Sequence, residues 1–255
     1  MTIKEIENPL INYLLHLGDN ALLMGHRNSE WCGHGPVLEQ DIALTNIALD
    51  QIGQARNFYQ YAANLITEIT NEKVTEDSLA YLRDSWDFKN CLLVELPNGD
   101  WGRTVLKLFI VSAFQFFLYQ ELEKNSIPQL SAIASKSIKE LNYHLRWSTD
   151  WVLRLGDGTE ESKQRMKQAI DELWPFTEEW ILFTEYELKI LGDGRSVIKD
   201  NWKEKINTVF AEASLEIPSE IWMQQGGKKG NHTEHLGFIL AEMQFLQRAY
   251  PGAEW

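Results

Sequence analysis

The 255-residue chain is long enough to bury a sizeable core without a disulfide or a structural metal. Its formal net charge of -13 opposes general binding to nucleic acid or to an anionic membrane, because the long-range field repels polyanions. Its two cysteines, Cys32 and Cys91, form no CxxC pair and suit a reduced, cytoplasmic setting rather than a secreted disulfide scaffold.

The opening stretch, "MTIKEIENPLINYLL", carries acidic residues where a signal peptide has a basic flank and lacks a small-residue cleavage site, so no targeting is expected. Asn8 and Pro9 supply a cap and a first-turn proline for a helix to about Arg27, interrupted by "SEWCGHG". Pro36 opens a longer helix to about Thr67, in which Ile42, Ile47, Ala48, Ile52, Ala55, Tyr59 and Ala62 follow the helical period. A short helix near 75–84 and an irregular segment ending in "PNGD" lead to Asp100, the cap of a third long helix ending at Asn125. Its apolar part, "VLKLFIVSAFQFFLY", is shorter than the roughly 20 residues that span a bilayer and carries Lys107, Ser112 and Gln115, the marks of a core helix. Pro128 starts a fourth helix, which stops at the glycines of "LGDG".

Four long helices with simple links predict an all-α, antiparallel four-helix bundle over about 8–156, with additional helices over about 159–255 in the same domain. Thr159 caps the first of these, which is expected to continue past a kink at Pro175 to a second "LGDG" at Leu191 to Gly194. Another spans about 197–214, and the last runs over about 233–249 after the loop "QQGGKKGN". Both "LGDG" stretches are read as C-caps, where glycine takes a positive φ. No alternation is long enough for a strand.

A bundle with inward carboxylates invites a ferritin-like di-iron site, built from a Glu on each of two helices and a Glu-x-x-His pair on each of the others. No histidine lies between His34 and His144, so the second helix lacks its ligand. In "KELNYHLRW", Glu140 is followed at i+3 by Tyr143, and His144 stands about 100° further round. Residues at i and i+4 can still share a metal, but the first two helices add only Asp19 and Asp50 at mid-length. The polar stripes Asn12, His16, Asp19 and Asn46, Asp50, Gln54, Asn57 either face solvent or form a buried network satisfied by Arg56 or Arg146.

Three long stretches, "LGDNALLMGHRNSEWCGHGPVLEQDIALTNIALDQIGQAR", "KELNYHLRWSTDWVLRLGDGTEES" and "GGKKGNHTEHLGFILAEMQFLQRAYPGAEW", closely resemble the PaaC subunit family of the phenylacetyl-CoA epoxidase, a multicomponent ring monooxygenase of aerobic phenylacetate catabolism. The resemblance runs from about Leu10 to Trp255. It implies a ferritin-like chain with no cofactor of its own, acting in a hetero-oligomer. The implied partners are a PaaA-like catalytic subunit that holds the di-iron centre, an accessory subunit, and a reductase with flavin and iron-sulfur groups. The whole complex would epoxidise the ring of phenylacetyl-CoA with dioxygen and electrons from NADPH. On that reading Asp19, Asp50, Glu140, Tyr143 and His144 are a vestigial site that no longer holds metal, and this chain supports its catalytic homologue.

One further segment invites a functional reading. In "GGKKGNHTEHLG" the glycines permit close approach, Lys228 and Lys229 supply charge, and the next helix presents free N–H groups. Lys228, Lys229, Asn231, His232 and Thr233 are therefore candidates for contact with coenzyme A phosphates or a partner. The plainer reading is a loop capped by Thr233 or Asn231. His232 and His235 offer too few companions for a metal, and Cys32 beside His34 lacks the oriented third group that nucleophilic catalysis needs, so "SEWCGHGP" is read as a rigid corner. The competing functions are an autonomous ferritin-like metal-dependent oxidase and a CoA-thioester binding module.

Overall fold

The computed structural model describes residues 7–219 and 221–253, so the readings that fall on the first six residues and on the last two lie outside the described residues. The described α-helices are α1 (Pro9–Ser29), α2 (Leu38–Thr70), α3 (Glu76–Tyr81), α4 (Trp101–Leu122), α5 (Pro128–Gly156), α6 (Glu160–Leu173), α7 (Glu185–Leu191), α8 (Gly194–Glu212), α9 (Glu234–Met243) and α10 (Phe245–Ala249). No strand occurs among the described residues, and the all-α expectation holds. The chain divides into two compact units: Met1–Pro97 with Thr184–Ile190 and Gly226–Trp255, and Asn98–Phe183 with Leu191–Gln225. Each unit takes one long helical hairpin and part of the C-terminal half.

The first unit is organised by the hairpin of α1 and α2. Asn8 caps α1 as expected, its side-chain oxygen accepting from the N–H groups of Leu10 and Ile11 at 2.9 and 3.3 Å. A Cβ at Gly18 would stand 2.6 Å from the Tyr59 ring, so the glycine sets how closely the two helices cross. Helix α1 is buried along nearly its whole length, polar residues included. After α2, Thr75 closes a capping box with Ser78 at the start of α3, and the chain then winds through 3-10 turns at Ser85–Asp87 and Leu92–Glu95.

The second unit is organised by α4 and α5, with α6 and α8 packed on α4. Asp100 caps α4 through the Arg103 N–H at 2.9 Å. By length and composition α4 could cross a membrane, yet 78% of its apolar window is buried in the protein, the mark of a core helix. Phe109 lies against Phe210 of α8 with ring centroids 6.4 Å apart, and the Trp202 indole N–H donates to the Ile110 carbonyl at 3.1 Å. That bond lets a large polar-tipped ring sit in the core.

Two local expectations need correction. The helix from Thr159 does not continue to Leu191: α6 ends at Leu173, two 3-10 turns follow at Trp174–Phe176 and Glu178–Ile181, and α7 starts afresh. Pro175 has no N–H for the ladder, its carbonyl accepts from Gln224 N–H at 2.6 Å, and the Thr177 hydroxyl claims the Trp174 carbonyl at 2.8 Å. Competing bonds turn a kink into a break. The second correction concerns "LGDG". Gly192 has φ +54 as a C-cap should, whereas Gly156 is the last residue of α5 and its Cβ would fall 2.6 Å from the Ala213 carbonyl. That glycine is required for close approach.

Candidate functional site

The polar residues of α1 are not a solvent-facing stripe. His16, Asp19 and Asn20, spaced to share a face, are all buried inside the first unit. Asp19 accepts from the Tyr59 hydroxyl at 2.5 Å, from the Lys89 backbone N–H at 2.7 Å and from both terminal nitrogens of Arg83. Arg83 also donates to the carbonyls of Leu79 and Asp87, and its guanidinium lies 4.2 Å from the centre of the Phe88 ring. Burial, the largest single influence, would lower the Arg83 pKa, but Asp19 foremost, together with Tyr59 and Asp87, outweighs it and holds the guanidinium above its ordinary value. Burial and Asp19 together push the Tyr59 hydroxyl well above the usual range.

The partner of Asp19 is thus neither Arg56 nor Arg146. Arg56 is exposed and reaches Glu76 at 3.4 Å, and Arg146 is exposed with its guanidinium 5.9 Å from the Tyr143 ring centre. Arg83 follows α3, in a segment where no helical period points to a face.

A second cluster stands beside the first. His16 Nδ1 donates to the Lys89 carbonyl at 2.6 Å, and its Nε2 lies 3.6 Å from Glu187 of α7. Glu187 accepts from the Lys228 ammonium at 2.9 and 3.1 Å and from the N–H and hydroxyl of Thr184 at 2.7 and 2.9 Å. Burial depresses the His16 pKa and outweighs the pull of Glu187, while Lys228 acts in the same direction as burial, so the imidazole is kept neutral. Burial would raise Glu187, but Lys228 foremost holds it below the ordinary carboxylate value.

The third cluster centres on Glu95, also buried. It accepts from His232 Nδ1 at 2.5 Å, from the Thr233 N–H and hydroxyl at 2.9 and 2.7 Å, and from the Asn90 amide at 2.8 Å. His232 Nε2 faces the Phe88 carbonyl at 3.0 Å, so both ring nitrogens meet acceptors, the arrangement an imidazolium needs. Burial, the largest single influence, would lower its pKa; the bond and charge of Glu95, with the Phe88 carbonyl and Asp19, together outweigh burial and raise it. A His with a raised folded-state pKa contributes stability that is complete below the unfolded value of 6.5 and is lost as pH rises through the folded value. Hydrogen exchange over residues 226–233 is therefore expected to quicken as pH rises above neutral, beyond the intrinsic rate. A His232→Gln chain should show no such step, and a wild-type loop with a flat profile would contradict the pair.

These contacts revise the glycine-rich loop. Lys228, only 4% exposed, turns inward onto Glu187, and His232 and Thr233 turn onto Glu95, so none of the three is presented to a phosphate. Thr233 stands at the N-cap position of α9, yet its hydroxyl serves Glu95 rather than the helix. Lys229 and Asn231 remain exposed. The glycines admit the protein's own backbone: a Cβ at Gly227 would lie 2.2 Å from the Asn90 carbonyl, and Gly230, at φ +83, approaches the Trp86 carbonyl. Close approach was legible in the sequence, but its object was not.

The remaining candidates are distributed as follows. Asp50 is half-buried on α2 and makes none of the Asp19 contacts. In the second unit Glu140 and Tyr143 are half-buried on α5 and His144 is fully buried; burial and the Glu140 carboxylate push the Tyr119 hydroxyl well up. Among the described residues no group of three or more His, Cys, Asp or Glu is placed to hold a metal ion. The donor set does not fit a carboxylate-rich di-iron centre, because a cation at Asp19 would have to displace a guanidinium, a hydroxyl and a backbone N–H. Cys32 and His34 are exposed, and the Gly33 N–H donates to the Asp41 carboxylate at 3.0 and 3.1 Å, which fixes the corner between α1 and α2. Sequence reasoning missed Arg83, Glu95 and Glu187. A buried Asp demands a cation, and Arg83 and Lys89 are the cations between α3 and α4; that need was the available signal.

Comparison with known proteins agrees with this architecture. The model of the phenylacetic acid catabolic protein family, PaaA_PaaC, matches residues 1–255. The chain is also similar to the C subunit of the 1,2-phenylacetyl-CoA epoxidase of Escherichia coli (strain K12), with 46% identity over 252 residues, covering 97% of this chain and 100% of the relative. With its whole length matched and its described helices disposed as two long hairpins with added C-terminal helices, the chain belongs to the ferritin-like phenylacetic acid catabolic protein family.

Proposed function

We propose that this chain is a non-catalytic structural subunit of a multicomponent phenylacetyl-CoA 1,2-epoxidase in aerobic phenylacetate catabolism. It packs on a PaaA-like catalytic subunit, which carries the di-iron centre, within a hetero-oligomer served by an accessory subunit and a flavin and iron-sulfur reductase that draws on NADPH. The chain itself carries no cofactor and works in the cytoplasm. The observation that carries this reading is the saturation of Asp19 by Arg83, Tyr59 and the Lys89 N–H, a salt bridge in place of a metal ligand. The name of the similar E. coli protein, a lettered subunit of an epoxidase, supports membership of an assembly.

Asp50, Glu140, Tyr143 and His144 stand in this reading as remnants, with packing and polar contact as their present role. Lys229 and Asn231 are the residues of the loop left to meet a CoA thioester or a partner. Two measurements test the proposal together. Metal analysis of the chain purified from iron-replete cells should give well under one iron per chain, and the chain alone should show no NADPH-linked oxidation of phenylacetyl-CoA. Co-expression with the catalytic subunit should give a stable complex that turns over when the reductase is added. About two irons per chain with oxidase activity in the isolated protein would favour the autonomous oxidase. Tight phenylacetyl-CoA binding by the isolated chain, without assembly, would favour the binding module.

A further inference from the structure

Helix α2 has a second apolar side. Ala43, Leu44, Ile47, Ala48, Ala55 and Phe58 are buried in the hairpin with α1. Around the helix from them stand Leu38, Ile42 and Leu49, which are 69%, 52% and 64% exposed, followed one turn later by the exposed Gly53. Their spacing of four, seven and four residues keeps them within about 60° on one stripe, with Thr45 and Arg56 between and beyond. A Cβ at Gly53 would meet nothing within 4 Å. A large aliphatic face at heptad spacing, ending in a glycine with open space above it, is a seam for another helix. A scatter of isolated surface leucines would have no such register.

Resting on the subunit reading above, we infer that this stripe of α2 is a docking surface for a helix of a different protein chain, one that presents an aliphatic ridge flanked by lysine or arginine. Charge decides between that occupant and a second copy. Two copies would bring together chains of formal charge -13, with the carboxylates Glu39 and Asp41 beside Leu38 and Ile42 in the first turn of α2. Asp41 already holds the Gly33 N–H, and the basic residue beyond the stripe, Arg56, is engaged by Glu76 at 3.4 Å and does not offset that repulsion. A basic rim on the partner turns the same carboxylates from a cost into steering. The aliphatic residues supply the desolvated centre, and Gly53 lets the two backbones approach.

The test uses the full chain and the catalytic subunit of the proposed complex, with the dissociation constant read by interferometry and folding read by thermal melts. Ile42→Arg and Leu49→Arg should each weaken assembly by at least about tenfold with unchanged melting temperature, roughly the loss of 1.4 kcal/mol. Leu49→Glu should weaken it less than Leu49→Arg, because the partner's rim is basic. Phe245→Arg, a charge placed on an equally exposed ring of α10, should bind as wild type does. If the wild-type complex forms and both arginine variants bind normally, the surface is wrong while the subunit reading stands. An equal loss in the Phe245→Arg chain, or a Glu variant weaker than the Arg variant, also overturns the assignment. A wild-type homodimer dispersed by Leu49→Arg would make the occupant a second copy and sink the inference. Failure of the wild-type chain to form any complex removes the subunit reading, and the inference falls with it.

Discussion

Replacing Arg83 with Met should lower the unfolding free energy by about 3–5 kcal/mol, the usual cost of leaving one partner of a buried ion pair behind. Asp19 is wholly buried, and without Arg83 it retains only the Tyr59 hydroxyl and the Lys89 N–H against its negative charge. Denaturant melts of the purified chain, with the slope held constant, read the loss directly. The double variant Asp19→Asn with Arg83→Met should recover most of it, because no buried charge remains. A single-variant cost below about 1 kcal/mol would mean that Asp19 is hydrated in solution and that the pair is ordinary surface electrostatics.

The second large effect is expected at Lys228. Lys228→Ala removes the ammonium that neutralises Glu187, and a destabilisation of about 3 kcal/mol should follow by the same reasoning. The variant carries its own diagnostic. Lys228 is one of the influences that keep His16 deprotonated, whereas Glu187 favours its charged form, so the loss of Lys228 should move the His16 titration upward. Histidine NMR across the range below neutrality would detect that movement. Combining Lys228→Ala with Glu187→Gln should restore stability and abolish the upward movement of His16, because Glu187, the stronger of the two influences on it, is then neutral as well. The affinity of the assembled complex for a CoA thioester should be unchanged throughout. A weakened affinity with stability and the His16 titration unmoved would return Lys228 to the phosphate-binding role that its sequence context suggested.

The helix framework was readable because its signals are local. Asn8, Asp100, Pro128 and Thr159 mark starts by side-chain chemistry acting within a turn, and α2 declares its buried side by a period that needs no partner to be named. The polar interior was readable only as a requirement. That a buried Asp19 needs a cation follows from electrostatics, but which cation answers depends on how residues 82–100 wind, and that segment has no period. The pairings of Glu187 with Lys228 and of Glu95 with His232 span 41 and 137 residues, so no spacing rule can reach them. The break after Leu173 shows the same limit at short range. Pro175 announced a disturbance, and the bonds to Gln224 and Thr177 decided its size.

The first unit draws its last essential groups from residues 184–190 and 226–233, far behind the hairpin they serve. During synthesis, therefore, α1 leaves the ribosome with His16 awaiting Glu187, and Glu95 emerges long before His232 and Thr233 exist. The nascent hairpin has its apolar surface ready and part of its charge balance still unmade. Closure must wait for the C-terminal third, and such non-local contacts come late because loop entropy is spent before they form. A chain stopped before residue 226 should accumulate as an aggregation-prone species even though its longest helices are complete. Emergence of residues 226–233, rather than of the hairpin, then sets when the N-terminal unit becomes native.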